Sequence, residues 1–486
     1  MRKLGKNALE NLTLDASCQI DLGSTVTAVD SSNYKSGIVW GVNHDNDILN
    51  DNTFYKQTYD MLDETLNKNT VKEMRTNGTL LLDSTKTDKL SGNSKEMIFP
   101  SRVNGIKIKQ MQRERLEKKT DGEGKGYIDY TILVGNNTIE KIYIPPSVIE
   151  VGGQNGGLFL KFTALKEVKI PSFYCIRSGT FQECSSLEKV ELGTPVNSDG
   201  TIKTDAVIDG NAFQGCTSLA EINIPKGVGT IGYATFQGCS SLKKVELPDG
   251  LTKIGGLAFY NCKSLTDIHL PKTLVSVGGS FRSCTSLEDI ALPDSLTVLS
   301  DELFYDCTNL KSIKIPNTAT TLGASIFGNC TALTEIKIPD SVTSIGKGAF
   351  ISCSNLTSID IPNSVTSIGV AAFQGCSNLT NVTLSANLSE IAAKLFMYSG
   401  LTSIDIPDGV TSIGFKAFQG CKITRIEIPS SVTGIAVDAF AGCSNLEKIT
   451  IYNDEGAIKN LPGENGSITG SAWGAPNNPT IVYKNK

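Results

Sequence analysis

Histidine is almost missing. His44 and His269 are the only two in 486 residues, so a histidine-dependent triad or a multi-histidine zinc site has almost nothing to be built from. Basic charge is also scarce: 45 lysines and arginines stand against 50 aspartates and glutamates, for a net charge of -5. The densest basic stretch, Arg113 to Lys119, is broken by Glu114 and Glu117. Nucleic acid would find no basic field here. No apolar run approaches the roughly 18 residues of a membrane-spanning helix, so membrane insertion is not expected. Arg2, Lys3 and Lys6 open the chain without the apolar stretch of a secretory signal, which fits an intracellular protein or one whose leader has been removed.

Other signatures of chemistry are incomplete. His44 lies beside Asp45 and Asp47, but the loop glycine and closing glutamate of a calcium-binding EF-hand are lacking. Gly122, Gly124 and Gly126 follow no buried strand, as a phosphate-binding loop would require. No enzyme, cofactor or metal site is expected.

What the chain does have is periodicity. A phenylalanine recurs at positions 159, 181, 213, 236, 259, 281, 304, 327, 350, 373, 396, 418 and 440, almost always 22 or 23 residues apart. Companions keep fixed offsets, as in Ala349-Phe350, Cys353, Leu356, Ile359, Ile361, Pro362, Val365, Ile368 and Gly369. Ile359 and Ile361 alternate with Ser358 and Asp360, the period of two of a short strand with one buried face. One strand per coil is expected, ended by Pro362 and followed by a turn in which Gly369 takes a positive φ. The Ala-Phe segment should then make a single helical turn. A unit of this size cannot bury its apolar side alone and folds by stacking on its neighbours.

Eleven of the thirteen cysteines share one position of the coil, from Cys184 to Cys443, with Phe162 and Ser399 in that place elsewhere. Parallel side chains in a ladder do not converge as a disulfide torsion requires, so free, buried thiols acting as small hydrophobes are expected. Cys18 and Cys175 stand outside the column.

The unit from Ile338 to Asp360, Ile-Pro-Asp-Ser-Val-Thr-Ser-Ile-Gly-Lys-Gly-Ala-Phe-Ile-Ser-Cys-Ser-Asn-Leu-Thr-Ser-Ile-Asp, resembles the repeats of the BspA-like, treponemal-type leucine-rich-repeat family. The resemblance covers roughly residues 140–486, and Phe99 to Lys107 looks like the opening of such an array. It implies a bacterial or protist protein, extracellular or at the cell surface, that attaches to host proteins or other cells.

The organisation expected is a leucine-rich-repeat solenoid over 159–451, mostly β, with an entry segment and degenerate cap coil at 96–158 and a C-terminal cap at 452–486. Trp473, in an Ala-Trp-Gly that mimics the Ala-Phe step, should plug that cap. Residues 1–95 do not follow the repeat and read as a small α+β module, with strands at Gly37 to Val42 and Thr79 to Leu82 and helical spacing from Thr53 to Arg75. An insertion near Gly193 to Asp205 should project as a loop.

If Ile359 and Ile361 point inward, the alternate residues form an outward face: Lys244 and Glu246, Asp267 and His269, Glu335 and Lys337, Asp360, Asp405, Arg425 and Glu427. A rigid array of polar groups at fixed spacing suits an extended protein or glycan and loses little entropy on binding. The expected function is non-enzymatic attachment through this face. The alternative is a spacer or assembly component, of a surface appendage or phage tail, that projects the N-terminal region.

Overall fold

The computed structural model describes residues 137–484, apart from 145–147, 153–156, 198–200 and 463–470. Ahead of these it describes the backbone of eight short strands between Val71 and Tyr127. The expected strand at Gly37 to Val42, the site around His44 and Cys18 lie outside the described residues. The chain divides into two compact units, Met1–Leu251 and Thr252–Lys486, and each is a parallel β-solenoid.

In the first unit, one ladder runs through Glu96–Ile98, Lys141–Tyr143, Glu167–Ile170 and Lys189–Leu192, each parallel to the next. Glu221–Asn223 and Lys244–Glu246 continue the pattern after the insertion. A second ladder joins Thr79–Leu82, Gln110–Arg113, Glu150–Val151, Cys175–Ile176, Ala206–Ile208 and Val228–Ile231. Val71–Met74 pairs antiparallel with Thr79–Leu82. The helical spacing read as far as Arg75 therefore fails over Val71–Met74, which is strand. Arg102–Val103 and Ile106–Lys107 close a hairpin.

The second unit repeats the scheme. Ser358–Asp360 pairs with Asn381–Thr383, and Arg425–Ile428 with Lys448–Ile451 and then Thr480–Tyr483. Val298–Leu299, Thr321–Leu322, Ser344–Ile345 and Ser367–Ile368 form the other ladder. Coils such as the one holding Ser358–Asp360 and Ser367–Ile368 thus carry two strands, where one was expected. The second is only two residues long, too short for alternation to show in sequence.

The Ala-Phe segment is a run of tight turns rather than a helical turn. Cys353 donates its N–H to Phe350 O at 3.1 Å, and Leu356 to Cys353 O at 3.2 Å. Left-handed residues bracket the phenylalanine, Gly348 (φ 60°) and Ser352 (φ 59°) around Phe350, Ala371 (φ 61°) and Gly375 (φ 75°) around Phe373. A right-handed helix cannot pass through them. The turns also bond from coil to coil: the N–H of Phe327 donates to Ala349 O, and that of Phe350 to Ala372 O, both at 2.8 Å.

Gly369 does not have the positive φ expected of it. Its reason is proximity. A Cβ placed there would lie 2.3 Å from the backbone nitrogen of Lys347, and one at Gly346 2.6 Å from that of Ala324. Successive coils touch backbone to backbone at this corner.

The phenylalanines fill the interior. Phe159, Phe181, Phe213 and Phe236 stack in the first unit at 5.3 to 5.6 Å between centroids. The stack from Phe259 to Phe440 in the second unit keeps its spacing between 5.3 and 5.8 Å. Each stacked pair contributes on the order of 1 kcal/mol beyond its area burial.

The insertion is a hairpin. Phe173 bridges Pro195 in parallel and Val196 bridges Ile202 antiparallel. At the C-terminus, Trp473 is 9 % exposed and its indole N–H donates to Asn460 Oδ1 at 2.8 Å. Its register differs from the expected mimicry by one residue: Phe440 donates its N–H to Trp473 O, whereas Phe418 donates to Ala439 O. Trp473 therefore stands where the alanine of the Ala-Phe step stands.

Candidate binding face

The outward face follows from the inward one. Val245, Ile336, Ile359, Ile404 and Ile426 are buried at the strand positions of their coils. Their neighbours must then face solvent. In the first unit Lys244 and Glu246 flank Val245, both exposed, with Nζ 2.8 Å from Oε1.

The second unit holds the other eight candidates. Glu335, Lys337, Asp360, Asp405, Arg425 and Glu427 are all exposed, and Asp267 is half-buried. The side chain of His269 is 91 % exposed, with Nδ1 3.4 Å from Asp267 Oδ1. Thr383 Oγ1 donates to Asp360 Oδ1 at 2.8 Å, and Tyr452 Oη to Glu427 Oε2 at 3.0 Å. The two units differ in how their charges are used. In the first, ion pairs step from coil to coil along the strands, Lys166 to Glu140 at 3.1 Å, Lys189 to Glu167 at 3.2 Å and Lys169 to Glu191 at 3.7 Å. In the second, Asp405 and Arg425 form no ion pair among the described residues, and their charges stay open to a partner.

The cysteine column is free and buried. Sequence reasoning missed what the sulfur does. Each thiol donates to the carbonyl of the phenylalanine one coil earlier: Cys184 to Phe159 and Cys239 to Phe213 in the first unit, both at 3.2 Å, and Cys307 to Phe281 and Cys443 to Phe418 in the second, both at 3.1 Å. The signal was present at Ser399, where the substitute is another donor. Its Oγ lies 3.4 Å from Cys421 Sγ. Burial pushes the Cys239, Cys307 and Cys376 thiols up to about 12, and that of Cys421 to about 11. They remain protonated donors at any physiological pH.

A second feature without sequence warning is a buried carboxylate in the first unit. Glu150, 6 % exposed, accepts hydrogen bonds from Tyr174 Oη at 2.7 Å and Arg177 Nε at 2.6 Å. Burial, and then the bond to Glu150, hold the Tyr174 hydroxyl up at about 12.

With this geometry in hand, similarity to known proteins is informative. A model of the BspA type leucine rich repeat region matches residues 128–202, 206–331, 297–422 and 389–461, in six copies. The crystal structure of a leucine-rich repeat protein from Bacteroides ovatus is 26 % identical, covering 76 % of this chain and 98 % of that one, with a TM-score of 0.60. A leucine rich cell surface protein from Faecalibacterium prausnitzii is 25 % identical over 81 % of this chain and 96 % of its own, with a TM-score of 0.43. The leucine rich repeat protein of T. pallidum is 32 % identical over 39 % of this chain and 76 % of its own, with a TM-score of 0.30. No curated protein matches. The periodic phenylalanines and cysteines, the parallel ladders they support and the family match over most of the chain agree, and the chain belongs to the BspA-type leucine-rich-repeat family.

Proposed function

We propose that this chain is a non-enzymatic attachment protein, extracellular or held at a cell surface, that grips a host protein, a glycan or another cell through its outward strand faces. Leucine-rich-repeat proteins are commonly protein-binding scaffolds, and no catalytic constellation is needed for that role. The observation that carries the reading is the exposed set Glu335, Lys337, Asp360, Asp405, Arg425 and Glu427, mounted on coils whose alternate residues are locked in the core. Side chains fixed in this way lose little freedom on binding, so many weak contacts can add up.

The test is solid-phase binding of the full chain to extracellular-matrix proteins, cell-surface glycans and intact cells. The variants Asp360→Lys, Asp405→Lys and Arg425→Glu should weaken capture while far-UV spectra and thermal midpoints stay unchanged. Undiminished capture by the triple variant would remove the strand face from consideration.

A further inference from the structure

The strand face is not the only outward surface of the second unit. At the corner between the short second strand and the phenylalanine turn, each coil presents the residue after its close-approach glycine or alanine, and then the next. Over four successive coils these positions bring out Lys347, Val370, Lys394 and the pair Phe415-Lys416. Lys347 is exposed and Val370 is 40 % exposed, while Lys394, Phe415 and Lys416 are half-buried.

The lysines are arranged around the ring. Lys394 (φ 56°) and Lys416 (φ 57°) both hold left-handed backbone, the conformation that this corner imposes on the coil. Their ammonium groups lie 6.0 and 4.9 Å from the centroid of Phe415. Two cations thus converge on one aromatic ring, which attracts them without neutralising them. Neither Lys347 nor Lys416 forms an ion pair among the described residues. Asp438, one coil further in the same position, lies against Gly474, where a Cβ would stand 3.1 Å from its Oδ1.

We propose that this corner binds an anionic polysaccharide, a chain that carries carboxylate or sulfate groups at regular intervals. Coils advance by about 4.8 Å each, so Lys347 and Lys394, two coils apart, set cationic groups roughly 10 Å apart along one line. The converging pair at Phe415 is suited to an oxyanion that bridges both ammonium groups. Val370 and Phe415 give the sugar rings apolar contact. Beside them, the exposed Thr366 and Thr411 donate their hydroxyl protons to Thr343 O and Ser389 O, one coil back, at 3.4 and 3.0 Å. The lone pairs of these hydroxyls are left to accept from sugar hydroxyls. An acidic polypeptide would satisfy the lysines but would leave that row of acceptors unused. This site is on a different edge of the coil from the strand face and stands or falls separately.

The experiment is surface plasmon resonance on the immobilised full chain with heparin, hyaluronate, dextran, poly-glutamate and duplex DNA as probes. Heparin or hyaluronate should bind, with affinity that falls as salt rises, and dextran should not. Lys394→Gln and Lys416→Gln should each weaken binding roughly tenfold, and Phe415→Ala should weaken it as well. Lys311→Gln, which removes an ion pair with Glu288 elsewhere in the unit, should have no effect. Asp360→Lys and Arg425→Glu should also leave glycan binding unchanged, which separates this site from the strand face. Equal binding of dextran, or poly-glutamate or DNA bound as tightly as the glycans, would overturn the assignment. So would full binding by the Lys394→Gln, Lys416→Gln double variant with its thermal midpoint intact.

Discussion

The thiol of Cys353 donates a hydrogen bond to the carbonyl of Phe327, one coil earlier, at 3.0 Å. The bond ties the turn of one coil to the turn of the next, in a place no water reaches. Cys353→Ala removes the donor and a buried atom together and should cost about 1 to 3 kcal/mol. Cys353→Ser keeps a donor, as Ser399 does naturally, and should cost distinctly less. Urea midpoints of the two variants decide the matter. An equal loss for both would mean that the sulfur's volume alone matters.

The same burial governs reactivity. The buried column thiols should resist a disulfide reagent at pH 8 in the native protein and react fully in urea. Their raised values also set a direction for stability. A thiol that titrates near 12 folded, as Cys239 does, and near its model value of 9.0 unfolded keeps its proton longer in the folded state. The stabilisation is complete below about pH 9 and is lost as pH rises toward 12. Each such thiol costs up to about 1.4 kcal/mol per pH unit in that window. Denaturant midpoints should fall steeply above pH 9. A flat profile to pH 11 would show that the thiols are not shielded.

How much of this could be read beforehand depends on where the information lies. The Phe350, Cys353 and Ile359 positions were legible because burial repeats with the coil, and repetition is visible in one sequence. The outward residues followed by alternation from the inward ones. The strand at Ser367–Ile368 was not legible, because two residues carry no period. Gly369 was misread because a turn glycine and a close-approach glycine are the same letter, and only the neighbouring coil tells them apart. The Phe415 cluster escaped because Lys394 and Lys416 are 22 residues apart and meet only when the coils stack.

Glu150 depends on its partner. Arg177→Gln would leave a buried carboxylate with the Tyr174 hydroxyl as its remaining described side-chain donor. Breaking a buried ion pair from one side typically costs about 3 to 5 kcal/mol. Arg177 is partly exposed, its side chain 32 % accessible, so water can return to the site and the lower end, about 3 kcal/mol, is expected. The Glu150→Gln, Arg177→Gln double variant should recover part of that loss, since no charge is left without its partner. A double variant as unstable as the sum of the singles would indicate that packing, rather than charge, is at stake.

Two substitutions in neighbouring turns should move stability in opposite directions. Gly369→Ala forces a methyl carbon to 2.3 Å from Lys347 N, where the obstacle is backbone and cannot rotate away. Overpacking of this kind costs about 1 to 3 kcal/mol or more, and here it would push two coils apart. Ser352→Gly acts on a residue that already pays for a left-handed φ of 59°, at a position where Gly375 and Gly420 adopt 75° and 71° in later coils. Glycine removes that strain, worth about 1 kcal/mol, against a comparable loss of unfolded-chain restriction. The net change should lie within about 0.5 kcal/mol of zero or be slightly stabilising. Thermal unfolding of the two variants side by side is the measurement. If Gly369→Ala were neutral, coil spacing at this corner would have to be adjustable, and the close approach would not be what reserves the position for glycine.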